Sequence, residues 1–188
     1  MALAGAGAAA DQDDAWLLDA ARRGDRAAIA ALVQRYQQSI GSYLLHLTGD
    51  PEAAVCLTAD TFVHVCRSYP AAQHGLAVRQ WLIRTATQLA RTHLRRRQWL
   101  NWLPGRRVAI RPISGATERE LVRSALARLW VTDRAVLLLC DLEGLPETEV
   151  AGVLGWRVPR VRRRLVRARA RFAIAVDQLA AADLPRAS

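Results

Sequence analysis

Apolar residues recur every three and four positions along almost the whole chain, the spacing of helices that bury one face. The alternation that marks a half-buried strand is absent, and Ala, Leu and Arg dominate, so the pattern predicts an all-α fold. A first helix covers about Ala15–Arg22 and stops at Gly24. Asp25 is a good N-cap for a second, from Ala27 to about Leu47, with Ile29, Leu32, Val33, Tyr36 and Ile40 on one stripe. Gly49-Asp50-Pro51 breaks and restarts the chain, with Asp as N-cap and Pro at the first helical position. The third helix runs to about Ser68, with Leu57, Thr61, Phe62 and Val65 inward. Tyr69–Gly75 reads as a loop. A fourth helix, about Ala77–Gln98, sets Trp81, Leu82, Thr85, Ala86 and Leu89 on one side and Arg84, Gln88, Arg91 and Arg95 on the other.

The periodicity then lapses. Trp99–Thr117 holds two Pro, two Gly and scattered Arg, which predicts a linker. Three or four further helices follow: Glu118–Leu129, Asp133–Glu143, Glu147–Leu154, and Val158 to about Ala180. The expected organisation is a disordered tail over residues 1–12, a helical domain over 13–98, the linker over 99–117, and a second helical domain over 118–182. The six Trp read mainly as core and linker anchors, Trp81 among them because its neighbours at 82, 85 and 89 lie on the buried side.

Charge sharpens this division. The chain has 188 residues and a formal net charge of +10, and all 27 of its basic residues are Arg. Residues 1–70 carry a net −3; residues 71–117 carry 9 Arg and no acid; Arg157–Arg171 holds 8 Arg and no acid. Two basic stretches on amphipathic helices point to a polyanion partner, since each neutralised phosphate releases counterions. No segment approaches the roughly 18–20 uninterrupted apolar residues of a membrane helix, and no membrane insertion is expected. Met1–Ala10 lacks the basic start of a signal peptide. Cys56, Cys66 and Cys140 are odd in number with no C-x-x-C pair, which fits a reducing cytoplasm and neither a disulfide framework nor a zinc site. His64 and Cys66, two apart on a helix, do not share a face as ligands would. With no carboxylate pair, nucleophile–base set or Gly-rich phosphate loop, neither an enzyme nor a cofactor or metal is expected.

The sharpest local signal is Glu147–Leu165. Val150, Ala151 and Leu154 face inward, Gly155 follows four residues after Ala151, and Val161 six after the Gly. This is helix-turn-helix spacing, although an ordinary helical hairpin shares it. The second helix adds weight. At about 100° per residue, Val158, Val161, Leu165, Ala168 and Phe172 share a narrow face, with Arg160, Arg163 and Arg167 opposite and Arg162, Arg164 and Arg171 on the flanks. Such a helix suits the major groove of DNA: outward Arg near its start reach base edges and flanking Arg reach phosphates. An anionic membrane or RNA is the competing partner, but the hairpin already uses the apolar face.

These residues resemble the extracytoplasmic-function (ECF) sigma factors of bacterial RNA polymerase, over about residues 13–180. Gly24-Asp25, Tyr36, the Asp50–Phe62 segment, and Trp81-Leu82 through Arg95-Arg96-Arg97 fall in the order of the family's region 2. Ala125–Leu129, Val136–Leu139, Asp141–Leu145, Glu149-Val150-Ala151, Leu154-Gly155, Val161 and Arg164–Arg169 follow its region 4. The resemblance implies a promoter-specificity subunit with polymerase core, promoter DNA and an anti-sigma protein as partners. Core docking would fall on Leu57, Asp60, Thr61 and Phe62. Contacts to the melted −10 element would fall on Arg84, Gln88, Arg91, Thr92, Arg95 and Arg96. At the −35 element Arg160 and Arg163 would read bases, and Arg157, Arg162, Arg164 and Arg167 would bind phosphates. The chain departs from the family at Val55, Cys56 and Ala59, where an acidic pair and a Gln are usual. It departs again at Gln88, Thr92 and His93, at Pro146 in place of a Ser N-cap, and at Pro159-Arg160. Fewer carboxylates in the docking helix weaken charge complementarity to core. An alternative is therefore a sigma-derived protein that acts as a free regulator or interaction adaptor.

Overall fold

The computed structural model describes residues 3–68, 78–101 and 117–183, and every regular element among them is helical. Two compact units divide the chain: Met1–Leu45 with Asp50–Leu89, and His46–Gly49 with Ala90–Ser188. The division falls inside the fourth helix. The expected loop over residues 69–77 and the body of the expected linker, residues 102–116, lie outside the described residues.

The first unit contains α1 (Leu3–Arg22), α2 (Arg26–Thr48), α3 (Pro51–Ser68) and the start of α4 (Val78–Asn101). The punctuation read from the sequence acts as predicted. Gly24 and Gly49 take positive φ of 89° and 70°. A carboxylate oxygen of Asp25 accepts the Ala27 N–H at 2.8 Å, and one of Asp50 accepts that of Ala53 at 3.1 Å. Helix α1, however, begins at Leu3 instead of near Ala15: the Ala-rich start read as a disordered tail has a high helix propensity. Asp14 of α1 is 1% exposed, and its carboxylate accepts hydrogen bonds from the Arg35 guanidinium and the Tyr36 hydroxyl of α2. Leu18, Ile40, Tyr43, Leu44, Leu82 and Ile83 fill the core, where the Tyr43 and Thr87 hydroxyls meet at 2.8 Å.

The second unit is organised around one long helix. Its elements are α5 (Glu118–Ala127), α6 (Val131–Leu137), α7 (Glu147–Leu154) and α8 (Val158–Asp183), and α8 packs against the other three. Glu120 caps the start of α5 by accepting the Thr117 N–H at 2.9 Å. Leu126, Val136, Leu139, Val150, Val161, Leu165 and Ala168 form the core. The segment expected as a single helix over Asp133–Glu143 starts earlier, at Val131, and widens into a π-helical turn over Leu138–Leu142. The Glu143 N–H reaches the Leu138 carbonyl at 2.9 Å, and Gly144 then reverses the chain with φ of 66°. This wider turn buries both Leu138 and Leu139 and leaves Asp141 outside, where its carboxylate accepts two bonds from Arg169, at 2.6 and 3.1 Å.

Asp133 is the least expected part of this unit. It is fully buried on α6, and its carboxylate accepts hydrogen bonds from Arg164 on one oxygen and from Arg171, at 2.8 Å, on the other. Both arginines belong to α8, two turns apart. Asp133→Asn should cost the unit about 2–3 kcal/mol in chemical denaturation, the scale of lost bonds to charged partners that keep some access to water. Asp141→Asn, at a surface pair, should cost under about 1 kcal/mol. Equal losses would show that the buried carboxylate has no special place.

Burial, aided by nearby Asp141, pushes the Cys140 thiol up to about 11. At neutral pH it is protonated and a poor nucleophile. In the folded protein iodoacetamide should modify exposed Cys56 well before Cys140, whose labelling should rise only in strong alkali. Mass spectrometry resolves the two, and equal rates at pH 7.5 would contradict this packing.

Candidate nucleic-acid interface

The turn between α7 and α8 is built as the sequence predicts. Gly155 ends α7 in the left-handed conformation, φ 66° and ψ 37°. No atom lies within 4 Å of where a Cβ would stand, so backbone conformation and not crowding calls for Gly. The Trp156 N–H closes the cap on the Ala151 carbonyl at 2.9 Å. Pro146 is the N-cap of α7 and supplies no side-chain cap; Glu147 and Glu149 follow in the first turn, where carboxylates suit the helix dipole. Pro159 sits in the first turn of α8, where its missing N–H leaves no helix bond unmade. Val161, Leu165 and Ala168 are buried as expected, while Val158 and Phe172 are only half-buried.

The eight arginines of Arg157–Arg171 divide into two sets. Four are tied to acids of the same unit: Arg162 to Glu147 at 2.9 Å, Arg164 and Arg171 to Asp133, and Arg169 to Asp141. Arg157, Arg160, Arg163 and Arg167 are exposed, and none has a carboxylate in ion-pair reach among the described residues. Arg164, expected at a phosphate, turns its guanidinium in towards Asp133 and donates to the Thr132 hydroxyl at 2.9 Å. A flank position on a helical wheel reaches either the solvent or a neighbouring helix, and here a buried carboxylate waits on the helix side. Arg162 remains largely exposed, and its surface pair with Glu147 is weak enough to exchange for a phosphate. Trp156, expected with the other Trp as a core or linker anchor, lies half-buried against α8, its ring centroid 4.4 Å from Arg160 Cζ and 5.8 Å from Arg164 Cζ.

On α4 the predicted polar residues hold one side of a helix without a single acid. Gln88, Thr92, Arg95 and Arg96 are exposed, and Arg84 and Arg91 are half-buried. Arg84 Cζ lies 5.5 Å from the centroid of the Trp81 ring, which is half-buried and so only partly the core residue expected. Trp16 and Trp130 depart further from the core expectation, both being well exposed.

The expected docking residues of α3 separate. Leu57, Thr61 and Phe62 are buried and hold α3 in its unit; the Thr61 hydroxyl donates to the Leu57 carbonyl at 2.7 Å. Asp60 alone of the four is exposed. What the surface offers instead is an apolar groove between α2 and α3, about 1100 Å³ in volume, lined by Ile29, Val33, Val55, Ala59 and Val63, with Phe62 among the walls. Val55 is 72% exposed. Ile29 and Val33, expected in the core stripe of α2, face this groove half-buried.

With this arrangement in view, the comparisons with known proteins fall into place. Residues 32–100 match the family Sigma-70 region 2, and residues 119–172 match Sigma-70, region 4. The ECF RNA polymerase sigma factor SigE of Mycolicibacterium smegmatis is 30% identical over 160 residues, covering 78% of this chain and 62% of that protein. SigM of Mycobacterium tuberculosis is 29% identical over 173 residues, covering 90% of this chain and 87% of the relative. Among solved structures, CnrH in complex with the cytosolic domain of CnrY aligns with a TM-score of 0.64 at 25% identity, over 88% of this chain and 97% of that one. RpoE of Bartonella quintana, solved with the anti-sigma factor NepR, shares the fold with a TM-score of 0.65 at 19% identity, over 79% and 96%.

The division of arginines has a direct test in salt-dependent binding to duplex DNA. Arg163→Ala and Arg167→Ala should leave the melting temperature near its original value. Arg167→Ala should also lower the slope of log affinity against log salt by about one. Arg164→Ala should lower the melting temperature instead. A stable Arg164→Ala protein with a reduced salt slope would return Arg164 to the DNA face.

Proposed function

The chain belongs to the sigma-70 family of RNA polymerase sigma factors, in its extracytoplasmic-function group, and on that premise we propose that it is an alternative sigma factor directing polymerase core to its own promoters. The observation that carries this reading is the outward row of Arg157, just before the helix that follows the Gly155 turn, and Arg160, Arg163 and Arg167 on it. Such a helix lies in the major groove at the −35 element. Arg160 and Arg163, near its start, reach base edges, where Arg pairs bidentately with guanine; Arg157 and Arg167 take phosphates.

Helix α4 handles the melted −10 strand. Gln88 and Thr92 offer hydrogen bonds to base edges, while Arg84, Arg91, Arg95 and Arg96 neutralise the backbone beside them. The polymerase supplies all the chemistry of RNA synthesis, and this chain supplies the address. The protein acts in the cytoplasm, and no helix among the described residues is long and apolar enough to cross a membrane.

Core docks on the α2–α3 face. Val55, Cys56 and Ala59 replace charge with apolar or neutral surface there, so the attachment rests on burial of the groove, with Asp60 as its nearby carboxylate. An anti-sigma protein, of the kind solved with RpoE of Bartonella quintana, competes for the same face. The same neutral surface favours a second reading, a sigma-derived regulator that no longer engages core productively.

Run-off transcription with polymerase core from a high-GC bacterium, on genomic fragments, distinguishes the two. Core-dependent transcripts from the unmodified protein are expected. Silence rescued by Val55→Glu/Cys56→Asp would instead establish the second reading: a fold kept and a docking surface lost.

A further inference from the structure

Of the four outward arginines in α8 and just before it, Arg160 alone rests on an aromatic ring among the described residues. The ring belongs to Trp156, whose place is set from both ends. Its backbone N–H is held by the Ala151 carbonyl at 2.9 Å, directly after the left-handed Gly155. Its indole also lies near Arg164, whose guanidinium is fixed by Thr132 and the buried Asp133. An unbroken series of contacts thus leads from the core to the surface: Asp133, Arg164, Trp156, Arg160.

We infer that Trp156 is a positioning residue for −35 recognition: its indole holds the Arg160 guanidinium ready for a base edge before DNA arrives. The inference rests on the reading of α8 as the promoter helix. A free arginine is among the side chains that lose most rotamer freedom on immobilisation, and bidentate pairing with guanine demands one orientation of the planar fork. A cation over an indole face gives up part of that freedom in advance, at the cost of little charge, since the guanidinium edge stays open to donate. Among the described residues Arg157, Arg163 and Arg167 have no such platform. Phosphate, which accepts a cation from many directions, asks less of them.

The experiment uses the full chain bound to polymerase core and a duplex library randomised across the upstream promoter element, with sequencing of the bound pool. Arg160→Ala should abolish preference at one base position. Trp156→Leu keeps apolar bulk and removes the π face; it should weaken preference at that same position by about two- to fivefold, the range of exposed cation–π pairs. Total affinity for unrelated DNA and the salt slope should stay unchanged. Trp156→Phe should retain most of the preference, and Trp156→Leu added to Arg160→Ala should change nothing more.

Undiminished preference in Trp156→Leu would overturn the inference. So would a Trp156→Leu loss that adds fully on top of Arg160→Ala, because it would put the indole on the DNA itself. If Arg160→Ala leaves every base preference intact, the failure lies in the reading of the outward face of α8, and the inference falls with it. Should Trp156→Leu not fold, stepwise fluorination of the Trp156 ring weakens its face with little change of size. Preference should then fall with each fluorine, and a flat response would refute the positioning role.

Discussion

Asp133 is closed off from water with both carboxylate oxygens taken by arginines of α8, and the geometry of the second unit follows from that. A carboxylate buried alone is prohibitively costly, so α8 must present two cations at fixed places along its length. Those places, Arg164 and Arg171, set both the rotation of α8 about its axis and its position along α6. Apolar packing of Val161, Leu165 and Ala168 favours the same face but tolerates sliding and small rotations far better. With the rotation fixed, the arginines on the far side have no choice but to point outward. The exposed arginine surface is thus specified from inside the unit.

The first unit solves the same problem with Asp14, which takes Arg35 and Tyr36 of α2 and joins α1 to it. In both units a buried acid on one helix collects partners from another. The basic character of α8 is therefore not one property. Part of it is internal bracing, neutralised within the unit, and the remainder is free for an external polyanion.

Local signals were legible in the sequence because their causes are local. Gly24, Asp25, Asp50, Pro51 and Gly155 act through their own backbone angles or the nearest N–H groups, and the helix ends they set appear where expected. Helix α7 keeps its predicted limits, Glu147–Leu154. The partnerships of Asp133 were not legible, since they join residues more than thirty positions apart and helical periodicity says nothing of a neighbour's face. For the same reason Arg164 was indistinguishable from the exposed arginines beside it. The resemblance pointed to α3 but not to the depth of its residues: Leu57, Thr61 and Phe62 support the fold, and the surface belongs to Val55, Ala59 and Val63. The π-helical turn at Leu138–Leu142 widens a run that periodicity reads as ordinary helix.

The apolar lining of the α2–α3 groove also gives the molecule a thermal character. Whatever fills that groove removes hydrocarbon surface from water, and such association carries a negative heat capacity change. Its enthalpy therefore changes steadily with temperature, and its affinity follows a curve with a maximum. On the cold side of that maximum the hydrophobic driving force fades and the contact loosens. Attraction between the α8 arginines and phosphate follows no such curve. On the function proposed above, the same chain holds its two classes of partner by forces with different temperature dependence, and cooling alters the balance between them without any change in sequence or ligand.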